Sequence, residues 1–140
     1  MLRLSPHLTF DGHCRAAFQE YRRVLGGVLT TLMSYGESPM AAQVDPRWHD
    51  RIVHATLLLD DVELVGADLL PQDYQTPQGF FVTLTVEGSE RGRTIFEALS
   101  EGGRVRLPFA PTFWSPGFGV LVDRYGVPWE INSAPSATAP

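Results

Sequence analysis

Three side chains capable of metal or proton chemistry sit on segments that read as β-strands. His7 falls within Leu4–Phe10, His54 begins the run Ile52–Leu59, and Glu130 stands between Trp129 and Ile131. Strand side chains alternate between faces. If Pro6, Leu8 and Phe10 turn toward a helix, Ser5, His7 and Thr9 turn the other way. By the same parity Glu130 opposes Trp129 and Ile131. Two imidazoles and a carboxylate meeting near one point could hold a divalent ion facially, with bonds of about 2.0–2.2 Å. The plainer alternative is a polar pocket with two hydrogen-bonded, partly buried histidines and Glu130 paired with an arginine. A loose cluster of His7, His54 and Glu130 without metal is the expectation. Cys14 follows His13 at a predicted helix start, where the positive helix end could lower a thiol pKa. A lone cysteine can equally be an inert packing group, and no general base or oxyanion hole accompanies it. Phe113-Trp114 and Trp48-His49 lie in two long loops, as walls for a flat ligand or as anchors of a subunit interface. The expected ligand-facing set is His7, Thr9, His54, Phe113, Trp114 and Glu130, and Trp129 reads as core.

These residues are carried by a duplicated frame. Leu8–Gly27 aligns without gaps on Leu84–Gly103 at an offset of 76 residues, with identities that include Leu8/Leu84, Gly12/Gly88, Arg15/Arg91 and Gly26-Gly27/Gly102-Gly103. Two copies are too few for a solenoid, so the repeat predicts two half-domains packed as a pseudo-symmetric pair, with a ligand site between them. In the first copy, a strand over Leu4–Phe10 leads to a helix over Cys14–Leu25, whose apolar residues recur at helical spacing and which Gly26-Gly27 ends. A strand over Val28–Tyr35, a long loop over Gly36–Asp50 and a hairpin follow. The hairpin joins Ile52–Leu59 to Val62–Ala67 around Asp60-Asp61. The second copy predicts a strand over Phe80–Val86 and a helix over Ser89–Ser100 with Ser89 at its start. Further strands follow over Arg104–Leu107, Gly119–Asp123 and Val127–Asn132. The order is βαβββ twice: an α+β fold in one domain over residues 1–133, with modules at about 4–68 and 80–132. A small, Pro-rich tail over 134–140 is expected to be disordered.

Composition narrows the function classes. The 140 residues carry a formal charge of −5 and no lysine, which argues against a nucleic-acid surface. No apolar run approaches the roughly 20 residues of a membrane span, and the amino-terminal stretch is too short and polar for a signal peptide. The single cysteine excludes an intrachain disulfide and suits a cytoplasmic location.

The segments TFDGHCRAAFQEYRRVLGG, RIVHATLLLDD and EALSEGGRVRLPFAPTFWSPGFGVLVDRYGVPWEIN resemble the vicinal oxygen chelate superfamily, the fold of glyoxalase, bleomycin-resistance proteins and extradiol dioxygenases. Within it the chain looks like the PhnB-like branch. The resemblance spans Leu4 to Asn132 and implies curved sheets forming a half-open cavity, commonly in a homodimer. It also implies a divalent Lewis acid chelating two neighbouring substrate oxygens. The ligand positions carried over are Ser5, its repeat mate Phe81, Glu130, and the Glu130 counterpart near Leu64 or Val65. Only Glu130 is a metal-binding type, whereas such ions need three or four converging ligands. Two functions follow: a small-molecule binding protein, or a metal-dependent lyase, isomerase or dioxygenase acting on vicinal oxygens. PhnB-like sequences are sometimes labelled methyltransferases, but the GFG at Gly117–Gly119 has no third glycine and leads into a predicted strand, unlike a nucleotide-binding loop.

Overall fold

A computed structural model describes residues 1–135; the expected tail lies, from 136 on, outside the described residues. The chain divides into two compact units, Met1–Gln75 and the part from Thr76 on. The first unit runs β1 (His7–Phe10), α1 (Cys14–Leu25), β2 (Val28–Ser34), β3 (Ile52–Leu59) and β4 (Val62–Asp68). The second runs β5 (Val82–Glu87), α2 (Ser89–Ser100), β6 (Arg104–Ala110), β7 (Gly117–Val122) and β8 (Pro128–Ala134). Each forms a four-stranded mixed sheet of the same topology, β1-β4-β3-β2 and β5-β8-β7-β6. In each, the first and last strands pair in parallel and the remaining pairs are antiparallel. The fold is therefore α+β, two βαβββ modules.

In the first module α1 covers one sheet face. Its Ala17, Phe18 and Tyr21 are buried together with Leu8, Phe10, Ala55 and Leu57 of the strands. Phe18 meets Phe10 and Tyr21 edge-on, with centroids 6.0 and 5.8 Å apart. Gly66 is the notch for this helix, since a Cβ there would stand 2.6 Å from Phe18 Cε1. In the second module Ile95, Phe96 and Leu99 of α2 are buried with Leu121, Trp129 and Ile131. Gly119 lies under Phe96 and Gly117 under Phe109, each leaving no room for a Cβ. The GFG segment thus forms strand β7, and its glycines admit aromatic rings.

Several boundaries differ from the sequence reading. The first strand begins at His7, and Leu4 is exposed. Pro6 accepts from Val65 N–H through its carbonyl but has no N–H of its own, so the ladder stops there. The 36–50 loop is built from three single 3-10 turns, Tyr35–Glu37, Ala41–Gln43 and Pro46–Trp48. Ser34 and Glu37 form a reciprocal capping box on the first, and Asp45 caps the third. Helix α2 begins at Ser89 as expected, with Gly88 as its N-cap. The strand expected to end at Leu107 continues to Ala110, and β8 reaches Ala134. Among the described residues, no helix is long and apolar enough to cross a membrane.

Candidate functional site

With a helix on one face, each sheet has an open face, and His7, Thr9, His54 and Glu130 lie on these faces, whereas Phe113 and Trp114 stand in the loop between β6 and β7. In the first module His7 pairs with Val65, which pairs with Thr56, which pairs with Thr31. Thr9 and His54 belong to the next row, beside Ala67 and Met33. His7 and His54 are exposed and Thr9 half-buried. His54 Nε2 lies 3.3 Å from Thr56 Oγ1. The expectation of partly buried histidines is therefore corrected: short open-face neighbours such as Thr9, Val65 and Ala67 leave both imidazoles in solvent. A cleft of about 590 Å³ lies between the amino-terminal stretch Met1–Ser5 and the Asp60-Asp61 hairpin, with Leu58 and Glu63 in its lining and His7, Thr9 and His54 outside it.

In the second module Glu130 pairs with Thr83 and Val120, and Asn132 with Thr85 and Phe118. Thr83 Oγ1 donates to Glu130 Oε1 at 2.9 Å. The expected arginine partner is thus replaced by a threonine hydroxyl, because Thr83 is Glu130's neighbour across the parallel ladder. Ion pairs among the described residues include Arg23–Glu20 and Arg47–Asp45. Asn132 Nδ2 reaches Thr85 Oγ1 at 3.5 Å, and Asn132 Oδ1 is buried without a partner. Phe118 carries the face outward to the 111–116 loop, where Trp114 packs on it edge-on at 5.3 Å and Phe113 on Trp114 at 4.7 Å. Phe113 is 97% exposed and Trp114 56%. Trp48 of the matching loop is only half-exposed, between Tyr35 and the Arg51 guanidinium.

The register identifies the counterpart of Glu130. Thr83 is the repeat mate of His7, and their partners are Glu130 and Val65. The ligand positions that the resemblance implies are thus Ser5, Phe81, Val65 and Glu130, a serine, a phenylalanine, a valine and one glutamate. That donor set does not fit a divalent ion, because three of the four side chains offer no anionic or imidazole ligand. Among the described residues, no three His, Cys, Asp or Glu side chains are grouped to hold a metal.

Cys14 is fully buried. Burial pushes its thiol pKa up, and the nearby Asp68 carboxylate adds to the rise, opposite to the lowering considered for a helix start. Asp68 itself was missed. It is 1% exposed, and its carboxylate accepts from Cys14 N at 3.0 Å and Ile52 N at 2.8 Å. Tyr35 Oη donates to the Asp68 carbonyl at 2.8 Å. Its signal was a carboxylate between apolar Ala67 and Leu69, where a strand was expected to stop.

No family model matches the chain. Protein YjdN of Escherichia coli (strain K12) is 34% identical over 137 residues, covering 92% of this chain and 93% of that protein. Protein PA1353 from Pseudomonas aeruginosa has a crystal structure similar to this one at a TM-score of 0.89, with 36% identity over 97% of this chain and all of that one. A Bacillus cereus structure described as a putative 3-demethylubiquinone-9 3-methyltransferase, PhnB protein, shares the fold at a TM-score of 0.80 and 24% identity, over 95% of this chain and 100% of its own. The fold recurs, at lower identity, in a glyoxalase/bleomycin resistance protein/dioxygenase from Nocardioides. The chain belongs to the family of Protein YjdN and PA1353, and its fold is the one found in the PhnB protein and in the glyoxalase/bleomycin resistance/dioxygenase structure.

Proposed function

We propose that the protein binds a small molecule on the open faces of its sheets, as a homodimer in the cytoplasm, without a metal at the superfamily's ligand positions. The observation that carries this reading is the polar character of faces no helix covers: His7, Thr9, His54 and Thr56 on one sheet, and Thr83, Thr85, Glu130 and Asn132 on the other. A sheet face serving only as protein core would be apolar, because each buried polar group without a partner costs about 1–3 kcal/mol. The methyltransferase description of the Bacillus cereus relative is not carried over, since the glycines of GFG seat Phe109 and Phe96. Subunit association is supported by exposed apolar residues on the edge strands, Val28 and Met33 on β2 and Val105 and Leu107 on β6.

A thermal-shift screen of metabolite classes, run with and without divalent metals and chelator, tests this reading. Stabilisation by an organic ligand that chelator leaves unchanged is the expected outcome. Stabilisation only in the presence of a metal overturns it in favour of metal-dependent chemistry. Light scattering on the same sample is expected to give twice the 15.5 kDa chain mass.

A further inference from the structure

We propose that the open face of the second module recognises the flat, amine-bearing end of its ligand, with Glu130 as the charge partner and Trp114 and Phe118 as the ring wall. This rests on the small-molecule reading above and names the ligand's chemistry.

The argument begins with unused hydrogen-bonding capacity. Of Glu130's two carboxylate oxygens, Oε1 accepts from Thr83 Oγ1. Oε2 has no partner among the described residues, and no arginine or histidine forms an ion pair with Glu130 there. Asn132, two residues along the same face, holds Oδ1 buried with no donor. Asn132 Oδ1 is closed to solvent, so Glu130 Oε2 is the unfilled acceptor that this face presents. A ligand that satisfies it brings an N–H or O–H donor, and a positive charge gives the stronger, charge-assisted bond. A carboxylate or phosphate would meet Glu130 with like charge. The Arg106 guanidinium is stacked on Phe81, 5.4 Å from the ring centroid.

The second observation is the aromatic wall. Phe118 pairs with Asn132 across the β7–β8 ladder, so Glu130 is its diagonal neighbour on the same face, about 7–8 Å away by strand geometry. Side chains at that spacing reach the same patch of the face, so one ring laid there can touch both the aromatic wall and the carboxylate. Trp114 extends the wall, and its loop is fixed without help from a ligand. Thr112 N–H donates to the Ser115 carbonyl at 2.9 Å, and Thr112 Oγ1 accepts from Trp114 N and Ser115 N at 3.3 and 3.1 Å. The Ser115 hydroxyl is shared between the carbonyls of Gly117 at 2.6 Å and Ser133 at 2.9 Å, and accepts from Gly117 N–H at 3.1 Å. A large indole held rigidly in solvent loses little further entropy when a ring stacks on it. A tryptophan face also attracts cations.

The test uses the full chain and two probes that share a ring and differ in charge, 2-naphthylmethylamine and 2-naphthoate, by isothermal titration calorimetry at pH 7. The amine is expected to bind at least tenfold more tightly than the naphthoate. Glu130→Gln and Trp114→Ala are each expected to weaken the amine about tenfold, while their melting temperatures stay within a few degrees of the parent. Naphthoate binding as tightly as the amine, or amine affinity unchanged in Glu130→Gln, overturns the proposal and leaves the small-molecule reading standing. If neither probe binds, both the proposal and the use of this face for small molecules fall.

Discussion

The two modules share a backbone plan and solve the same local problem with opposite chemistry. Phe10 pairs with Asp68, and its repeat mate Val86 pairs with Ser133, so Asp68 and Ser133 occupy one position in two copies. In the first module a buried carboxylate ties the start of α1 to the start of β3. In the second, Ser133 Oγ is buried without a partner between Gly92 and Gly117. There the tie passes to Ser115, from the loop, which joins β7 to β8. A duplicated frame preserves strand pairing and helix placement because apolar burial specifies both. Polar interior contacts are few and directional, so each copy satisfies them with whichever side chain reaches.

The strongest way to break this comparison is to remove both side chains. Asp68→Ala leaves two buried backbone N–H groups without acceptors and is expected to cost about 3–5 kcal/mol in urea denaturation. Ser133→Ala removes a hydroxyl that has no partner and is expected to change stability by less than about 1 kcal/mol, toward greater stability. Equal losses at the two sites would show that Ser133 does the work of Asp68.

The glycines after the helices sharpen it. Gly27 has φ +85°, and a Cβ there would run into the Leu58 carbonyl. Gly103 meets the Val122 carbonyl in the same way but lies outside the left-handed region, which in this module Gly102 occupies at φ +75°. Steric displacement acts at both sites, and backbone strain of about 1 kcal/mol or more only at Gly27. Gly27→Ala is therefore expected to lower stability by about 2 kcal/mol and Gly103→Ala by about 1. A larger loss at Gly103 would reverse that ranking.

The smallest effect concerns Cys14, whose repeat position holds Glu90. Its thiol pKa is raised by burial first and by Asp68 second. The folded chain therefore keeps this proton where the unfolded chain releases it, and stability declines gently as pH rises above about 8.5, the ordinary thiol value. The native protein is expected to resist Ellman's reagent at pH 8 and to react fully once unfolded. Rapid native labelling would place Cys14 nearer the surface than the carboxylate contact requires.

Much of this architecture was legible in the chain. Both helices occupy the residues that periodicity and the glycine pairs indicated, Cys14–Leu25 and Ser89–Ser100. Alternation placed His7, Thr9, His54 and Glu130 on faces away from the helices, because parity needs no knowledge of the partner strand. The partners themselves were not legible. Glu130's threonine and the hub at Asp68 depend on parallel pairing between strands 47 and 58 residues apart, from Thr83 to Glu130 and Phe10 to Asp68. Pro6 is the converse case: the alternation Leu4–Phe10 continued through it, but a residue without an N–H cannot extend the ladder.

That parallel pairing has a kinetic consequence. Each module is clasped by its own first and last strands, so β1 must wait for β4, and β5 for β8, before either edge can be sealed. The helices and antiparallel hairpins between them are local and form on the microsecond scale, whereas the clasp must gather distant ends. Loop closure grows only as the logarithm of length, so the 58- and 47-residue spans differ by merely about 0.2 kcal/mol and do not set an order between the modules. What distinguishes them is the latch. Asp68 sits at the last rung of its clasp; its bond to Ile52 can form with the β3–β4 hairpin, but it engages Cys14 at the start of α1 only after β1 and β4 have met, so that bond belongs to the late side of the barrier. It governs how long the first module stays closed more than how quickly it closes.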